Sequence, residues 1–224
     1  MKERLDTFLA STWLASARRH QLLAVSASAG LAIALLTGRM LRIQGLAFGF
    51  LVWNLVLAFI PWGASFVCTS MKSPWRWLLL PLWLVFFPNA PYLVTDFVHL
   101  RSRPPVPVWY DVGMLTAFAW AGLLLAVTSL GAVHSAVEKV AGRIAGWLFV
   151  AGVSSLTGYG IYLGRFLRKN SWDVLLDPFD LARTLASPLL NPAEQFRTFV
   201  VAALFGSLML VVYGAFRTRP APSV

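Results

Sequence analysis

The chain has 224 residues, is 58% hydrophobic and 12% charged, and carries a formal net charge of +10. That composition excludes a soluble domain of ordinary make-up, and the single cysteine, Cys68, excludes an intrachain disulfide and a thiolate metal cluster. The basic residues are spread over the connections and form no tract, which points to anionic lipid, and not nucleic acid, as the partner of the positive charge.

Six charge-free windows follow one another, at 21–38, 43–71, 77–95, 112–137, 144–164 and 198–216. Each is about long enough to cross a hydrocarbon core roughly 30 Å thick. The pattern predicts an all-α, polytopic membrane protein: a six-helix transmembrane bundle with a proline-broken third helix and short interfacial helices. It divides into an interfacial segment at 1–19, the six-helix domain at 20–216 and a tail at 217–224.

Leu5, Phe8, Leu9 and Thr12 recur at helical spacing ahead of Arg18 and Arg19, which predicts a helix lying in the interface. The basic leader is too long, and the apolar stretch 22–25 too short, for a cleaved signal peptide. The first spanning helix is expected over about 20–37, closed by Arg39 and Arg42. The second lies within 45–68 and holds Pro61 and Asn54, the latter suited to a hydrogen bond between helices. Lys72, Trp75, Arg76 and Trp77 read as a basic, aromatic interface belt.

The third window begins as ordinary helix over 77–87, a rise of about 16 Å, roughly half of a hydrocarbon core. Pro88 and Pro91 then break it, because proline lacks the N–H and clashes with the preceding turn. Asn89 can supply a donor and an acceptor to the freed backbone. If an α-helix resumes at Tyr92, then Tyr92, Asp96, His99 and Arg103 share one face. Interrupted helices of this kind build sites inside membranes; the plain alternative is a proline kink with a polar end.

Three prolines make 101–110 stiff and extended. Asp111 opens the fourth helix, where an acid suits the cap and the dipole. That helix runs to about 133 and leaves His134 solvated at its far end. Glu138, Lys139 and Arg143 form a short turn before the fifth helix, which carries Gly160 and Gly164 as a close-packing pair. Tyr162, Arg165 and Lys169 share a face, with Arg168 beside them. Asp177-Pro178 opens an interfacial helix at 178–187, and Asn191-Pro192-Ala193-Glu194 opens the sixth spanning helix.

Parity puts both termini on one side and the ends of helices three and five on the other. Asp96, His99 and Asp111 are therefore expected near the same surface as Arg165, Arg168, Lys169 and Asn170, and the polar groups are expected to converge on one cavity there. Lys2, Arg4, Arg18 and Arg19 before the first helix outweigh Arg39 and Arg42 after it, which favours cytoplasmic termini.

Pro88-Asn89-Ala90-Pro91-Tyr92, Thr95-Asp96, His99, Asp111, and Gly164-Arg165-Phe166 with Arg168, Asn170, Ser171 and Trp172 resemble a bacterial family of integral membrane proteins, filed as domain of unknown function 1361. The resemblance runs from about 45 to 210. It implies a multi-pass protein of the bacterial inner membrane and brings no established activity with it.

The residues themselves suggest a membrane enzyme acting on a lipid or lipid-linked anion at the non-cytoplasmic boundary. His99 would be the general base, oriented by Asp96 or Asp111. Asn89, Tyr92, Tyr162, Arg165, Arg168, Lys169 and Asn170 would bind the substrate, the cations holding a phosphate. A transporter is the alternative that uses the broken helix, although no inverted repeat is visible. A non-catalytic lipid-binding or assembly subunit is the third class. No cofactor and no metal is expected: Asp96, His99, Asp111 and Asp173 would offer only one histidine, and His99 and His134 sit at opposite ends, too far apart to share a haem iron. Gly-rich nucleotide loops and Ser or Cys nucleophile motifs are absent from the sequence.

Overall fold

A computed structural model describes residues 2–71, 77–191 and 195–217. Among the described residues the elements are helical: α1 (Lys2–Ile43), α2 (Phe50–Ser70), α3 (Leu79–Phe86), α4 (Asn89–Tyr92), a 3₁₀-helix (Leu93–His99), α5 (Val108–Phe166), α6 (Asp173–Leu176), α7 (Pro178–Leu190) and α8 (Phe196–Phe216). Four stretches have the length and apolarity to cross a bilayer: Arg19–Ile43 of α1, α2, α5 and α8. Their outward faces carry exposed Leu31, Val52, Leu148, Leu156, Leu204 and Val211. So much exposed aliphatic surface is a liability in water and neutral in hydrocarbon. The chain is an all-α membrane protein.

The 59 residues of α5 would stretch about 88 Å if straight, nearly three bilayer cores. They do not run straight. Gly142 adopts φ 85, ψ 170, a region open essentially to glycine, and folds the helix back on itself. The arms, 108–141 and 143–166, lie side by side: the His134 and Trp147 rings are 5.2 Å apart. The turn expected around Glu138, Lys139 and Arg143 thus narrows to one residue. This hairpin is the scaffold on which α1, α2, α4, the 3₁₀-helix and α8 pack. Met114, Phe118, Leu125 and Leu130 of its first arm are fully buried core.

Glycines set how closely these elements approach. A Cβ on Gly160 would lie 2.7 Å from Pro88 Cγ, and one on Gly164 would lie 3.0 Å from Tyr92 Cε2, so this pair seats the broken segment. Gly122 and Gly158 were not legible as packing residues, yet a Cβ there would collide with the carbonyl oxygens of Ala90 and Ala202. Backbone cannot move aside as a flexible side chain can. Gly122→Ala and Gly158→Ala are expected to cost about 1–3 kcal/mol each in overpacking, read as lowered thermal stability in detergent. Gly113→Ala, with open space around its Cβ, is expected to cost nothing.

Several local expectations are corrected. α1 continues unbroken through Arg39 and Arg42 to Ile43. The Leu5, Phe8, Leu9 and Thr12 side chains lie outside the described residues, as do Lys72, Trp75, Arg76, the 192–194 cap and the tail from 218. Residues 103–106 are not extended. The Val106 N–H donates to the Arg103 carbonyl at 3.2 Å, with Pro104-Pro105 in the middle of the turn. α7 runs to Leu190, capped by Asp177, whose carboxylate accepts the Asp180 N–H at 3.1 Å. Asn191 closes α7, its N–H reaching the Ser187 carbonyl at 3.0 Å, and α8 begins at Phe196.

His134 is not solvated. It is fully buried, with Nδ1 2.8 Å from the Tyr213 hydroxyl and Arg217 against both. Arg217 also pairs with Glu138 at 2.5 Å. The bend at Gly142 lays Trp147, from the second arm, on the histidine, and α8 adds Tyr213; neither would cover a free helix end. This cluster ties the bent end of the hairpin to α8.

Candidate functional site

The site begins with the break. α3 stops at Phe86, and the Ala90 N–H reaches only the Phe87 carbonyl, at 3.1 Å. The Phe86 carbonyl, passed over, accepts Asn89 Nδ2 at 2.9 Å. Asn89 Nδ2 also donates to Ser171 Oγ at 2.8 Å, and Ser171 Oγ donates to the Val85 carbonyl at 3.0 Å. A membrane helix can open only where such partners exist. Ser171, from the connection after α5, is therefore part of the break.

What resumes after Tyr92 is a 3₁₀-helix, not the α-helix expected. Three residues per turn change the rows. Asp96 stacks with His99, and Tyr92 with Thr95. Arg103 falls off the face entirely, into the turn beyond Leu100.

These residues converge on Arg165, in the last turn of α5. Its Nη2 donates to Asp96 Oδ1 at 2.6 Å and to Thr95 Oγ1 at 2.5 Å; its Nε donates to Thr95 Oγ1 at 3.0 Å. Its guanidinium lies 4.5 Å from the centre of the Tyr92 ring. The Asp96 side chain is 1% exposed and that of Arg165 15%. Asn54 of α2 donates Nδ2 to Asp96 Oδ2 at 3.1 Å, so both carboxylate oxygens are held. Arg165 Nη1 sits 3.1 Å from His99 Nε2. A guanidinium can only donate, so Nε2 accepts and the histidine carries its proton on Nδ1. In this state the Nε2 lone pair is occupied, and His99 is not free to act as a base.

Beside the cluster is a cleft of about 140 Å³, walled by Asn54, Asn89, Tyr92, Gly160, Gly164 and the run Lys169–Trp172 among others. Asn54 and Tyr92 belong to both cluster and cleft. Trp53 and Trp172 meet edge to face at its rim, 6.0 Å apart. Lys169 pairs with Asp180, and that hydrogen bond holds the ammonium above the ordinary lysine range. The Asn170 N–H donates to Asp173 Oδ2 at 2.7 Å.

The structure thus gathers Tyr92, Asp96, His99 and Arg165 into one cluster and sets Asn89, Lys169 and Asn170 along the adjoining cleft. Three candidates stand apart. Asp111 neither caps its helix nor orients His99. It receives Arg39 Nε at 2.6 Å and Nη2 at 3.1 Å, and both residues are buried. Tyr162 is buried and stacked on Phe166, ring centres 5.3 Å apart. Arg168 is exposed, at φ 56, without a hydrogen bond or ion pair to any described residue. The N–H groups of Leu167 and Lys169 both turn back to the Leu163 carbonyl, at 3.1 Å, which ends the helix. Helical spacing therefore no longer carries Arg168 beside Arg165. With Asp111 taken by Arg39, the His99 and carboxylate set does not assemble, and among the described residues no three His, Cys, Asp or Glu side chains gather. Sequence reasoning gave no site role to Thr95, Ser171 or Arg39. Thr95 and Ser171 stand in the motif blocks that carry the family resemblance, which was the available signal.

The family model described as protein of unknown function (DUF1361) matches residues 53–212. The chain belongs to this family. The match includes the broken helix, the cleft and the whole Arg165 cluster of this DUF1361 protein, and leaves out Arg39. No curated protein and no solved structure matches the DUF1361 chain.

Proposed function

We propose that this DUF1361 protein holds the polar head of a lipid or lipid-linked anion in the cleft beside its broken helix. The face would be the non-cytoplasmic one of a bacterial inner membrane, crossed six times with both termini cytoplasmic. The four long apolar helices, the fold-back of α5 and the broken segment support the crossings. The basic residues Lys2, Arg4, Arg18 and Arg19 support the orientation.

One observation carries the reading: Arg165, in the cluster that shares Asn54 and Tyr92 with the cleft, is held by an internal carboxylate. Its desolvation is already offset by Asp96, so an incoming anion competes with that carboxylate for a guanidinium that is already in place. Asn89 spends both amide hydrogens inside the protein, which leaves Oδ1 to accept from a ligand hydroxyl. Trp53 and Trp172 give the rim an apolar, amphipathic edge. An anion drawing Arg165 forward would release Asp96 and uncover His99 Nε2.

Lipid retained after purification in mild detergent, read by native mass spectrometry, tests this. Arg165→Lys keeps the charge but loses the planar fork. It is expected to lower the retained anionic lipid about tenfold, the worth of one charge-assisted hydrogen bond. Arg168→Lys is expected to change nothing. Equal retention by wild type and Arg165→Lys would reject the reading.

Catalysis is a second reading, favoured by the masked His99 Nε2: a base uncovered by substrate acts only when substrate is present. Wild type incubated with a bacterial lipid extract would then alter a lipid that His99→Ala leaves intact, while both retain it.

A further inference from the structure

A second hollow, of about 400 Å³, lies at the same end of the molecule, between the end of α1 and the turn before α5. Arg39, Arg42, Gln44 and Arg103 wall it, with Pro104 and Pro105 alongside. Arg39 is 1% exposed. Its Nε and Nη2 bond Asp111, but its Nη1 is buried and has no hydrogen-bond partner among the described residues. Buried guanidinium hydrogens are costly to leave unbonded, so one here marks a missing acceptor.

The charges say what kind. The guanidiniums of Arg39 and Arg103 both lie against the ring of Phe48, 4.6 and 4.9 Å from its centre. Phe48 is buried and holds a left-handed backbone, φ 69, that a bulky residue rarely adopts. The local structure thus spends strain to bring two like charges to one ring. Among the described residues Asp111 is the one carboxylate in contact, and it serves Arg39 alone. Arg42 and Arg103 are exposed and make no ion pair with any described residue. The hollow carries positive charge in excess, with one donor already desolvated.

We propose that this hollow is a second anion site, separate from the Arg165 cleft, which takes a phosphate group between the guanidiniums of Arg39, Arg42 and Arg103. Three guanidiniums of a wall suit the several oxygens of a tetrahedral phosphate; a planar carboxylate is satisfied by a single fork. The phosphate arrives either as the free ion or as a lipid head group, two sources with one recognition chemistry.

The test uses the full chain carrying Arg165→Lys, so that the cleft reading and this one can fail independently. Thermal stability in neutral detergent is followed as inorganic phosphate is titrated against chloride at matched ionic strength, and separately as phosphatidylglycerol is added. At least one probe is expected to stabilise the protein, the ion alone indicating free phosphate and the lipid alone a head group. Adding Arg42→Gln with Arg103→Gln, both exposed and outside the buried Arg39–Asp111 pair, is expected to raise the half-effective concentration at least tenfold. Arg168→Gln, which removes one charge from the same end, is expected to leave it unchanged. The proposal is overturned if neither probe stabilises, if the double substitution titrates like its parent, or if Arg168→Gln weakens binding as much.

Discussion

Arg39→Leu is expected to destabilise the protein by about 3–5 kcal/mol, the cost of leaving one member of a buried ion pair without its partner. The side chains of Arg39 and Asp111 are 0% and 1% exposed, so the Asp111 carboxylate left behind has no water to turn to. It sits near the start of α5, on the scaffold hairpin, where α1 docks. Asp111→Leu should cost as much, for the mirror-image reason. The double replacement by two leucines should recover most of the loss, because a buried pair exchanged for apolar groups is often neutral. Unfolding in detergent by heat or denaturant reads all three. A single variant as stable as wild type would mean that the pair does not hold α1 to α5.

Asp96→Asn is expected to move two observables in opposite directions. It removes the counter-ion of Arg165 while preserving the shape and the neighbourhood of Asn54 and Thr95. The ligand-free protein should lose about 3 kcal/mol, near the low end for a broken buried pair because Arg165 is 15% exposed. Retained anionic lipid should rise about tenfold, since the head group no longer competes with a carboxylate for the guanidinium; the factor corresponds to one charge-assisted contact. A purely structural ion pair predicts the first change without the second. Thermal melts and lipid retention on the same preparation separate the two.

What was legible in the sequence follows from the range of each signal. Hydropathy windows and paired prolines are local, so the apolar helices and the break at Pro88–Pro91 could be read directly. That His99 and Arg165 lie on one face follows from parity, which needs only the number of crossings between them; their 3.1 Å contact is set by the packing of the 3₁₀-helix on α5. The 3₁₀ geometry of Leu93–His99 and the left-handed turn at Arg168 depend on which carbonyl each N–H finds once an α-helix ends, and no residue type announces that choice. Arg39 follows a long apolar run and so reads as the charge that closes a helix, whereas its partner lies 72 residues on. His134 misled for a related reason. A histidine near the end of an apolar window looks solvated until Trp147 and Tyr213 arrive from elsewhere in the chain. Gly122 and Gly158 matter because of the carbonyls opposite them, which belong to other helices.

The exchange of Asp96 for an external anion at Arg165 is tested most directly by a structure of the protein determined in nanodiscs of anionic lipid. The account predicts a head group in the cleft, its phosphate within hydrogen-bond distance of Arg165, the Arg165–Asp96 contact opened beyond 4 Å from its present 2.6 Å, and His99 Nε2 released. Arg165 still bonded to Asp96 and His99, beside a cleft without lipid, would contradict it.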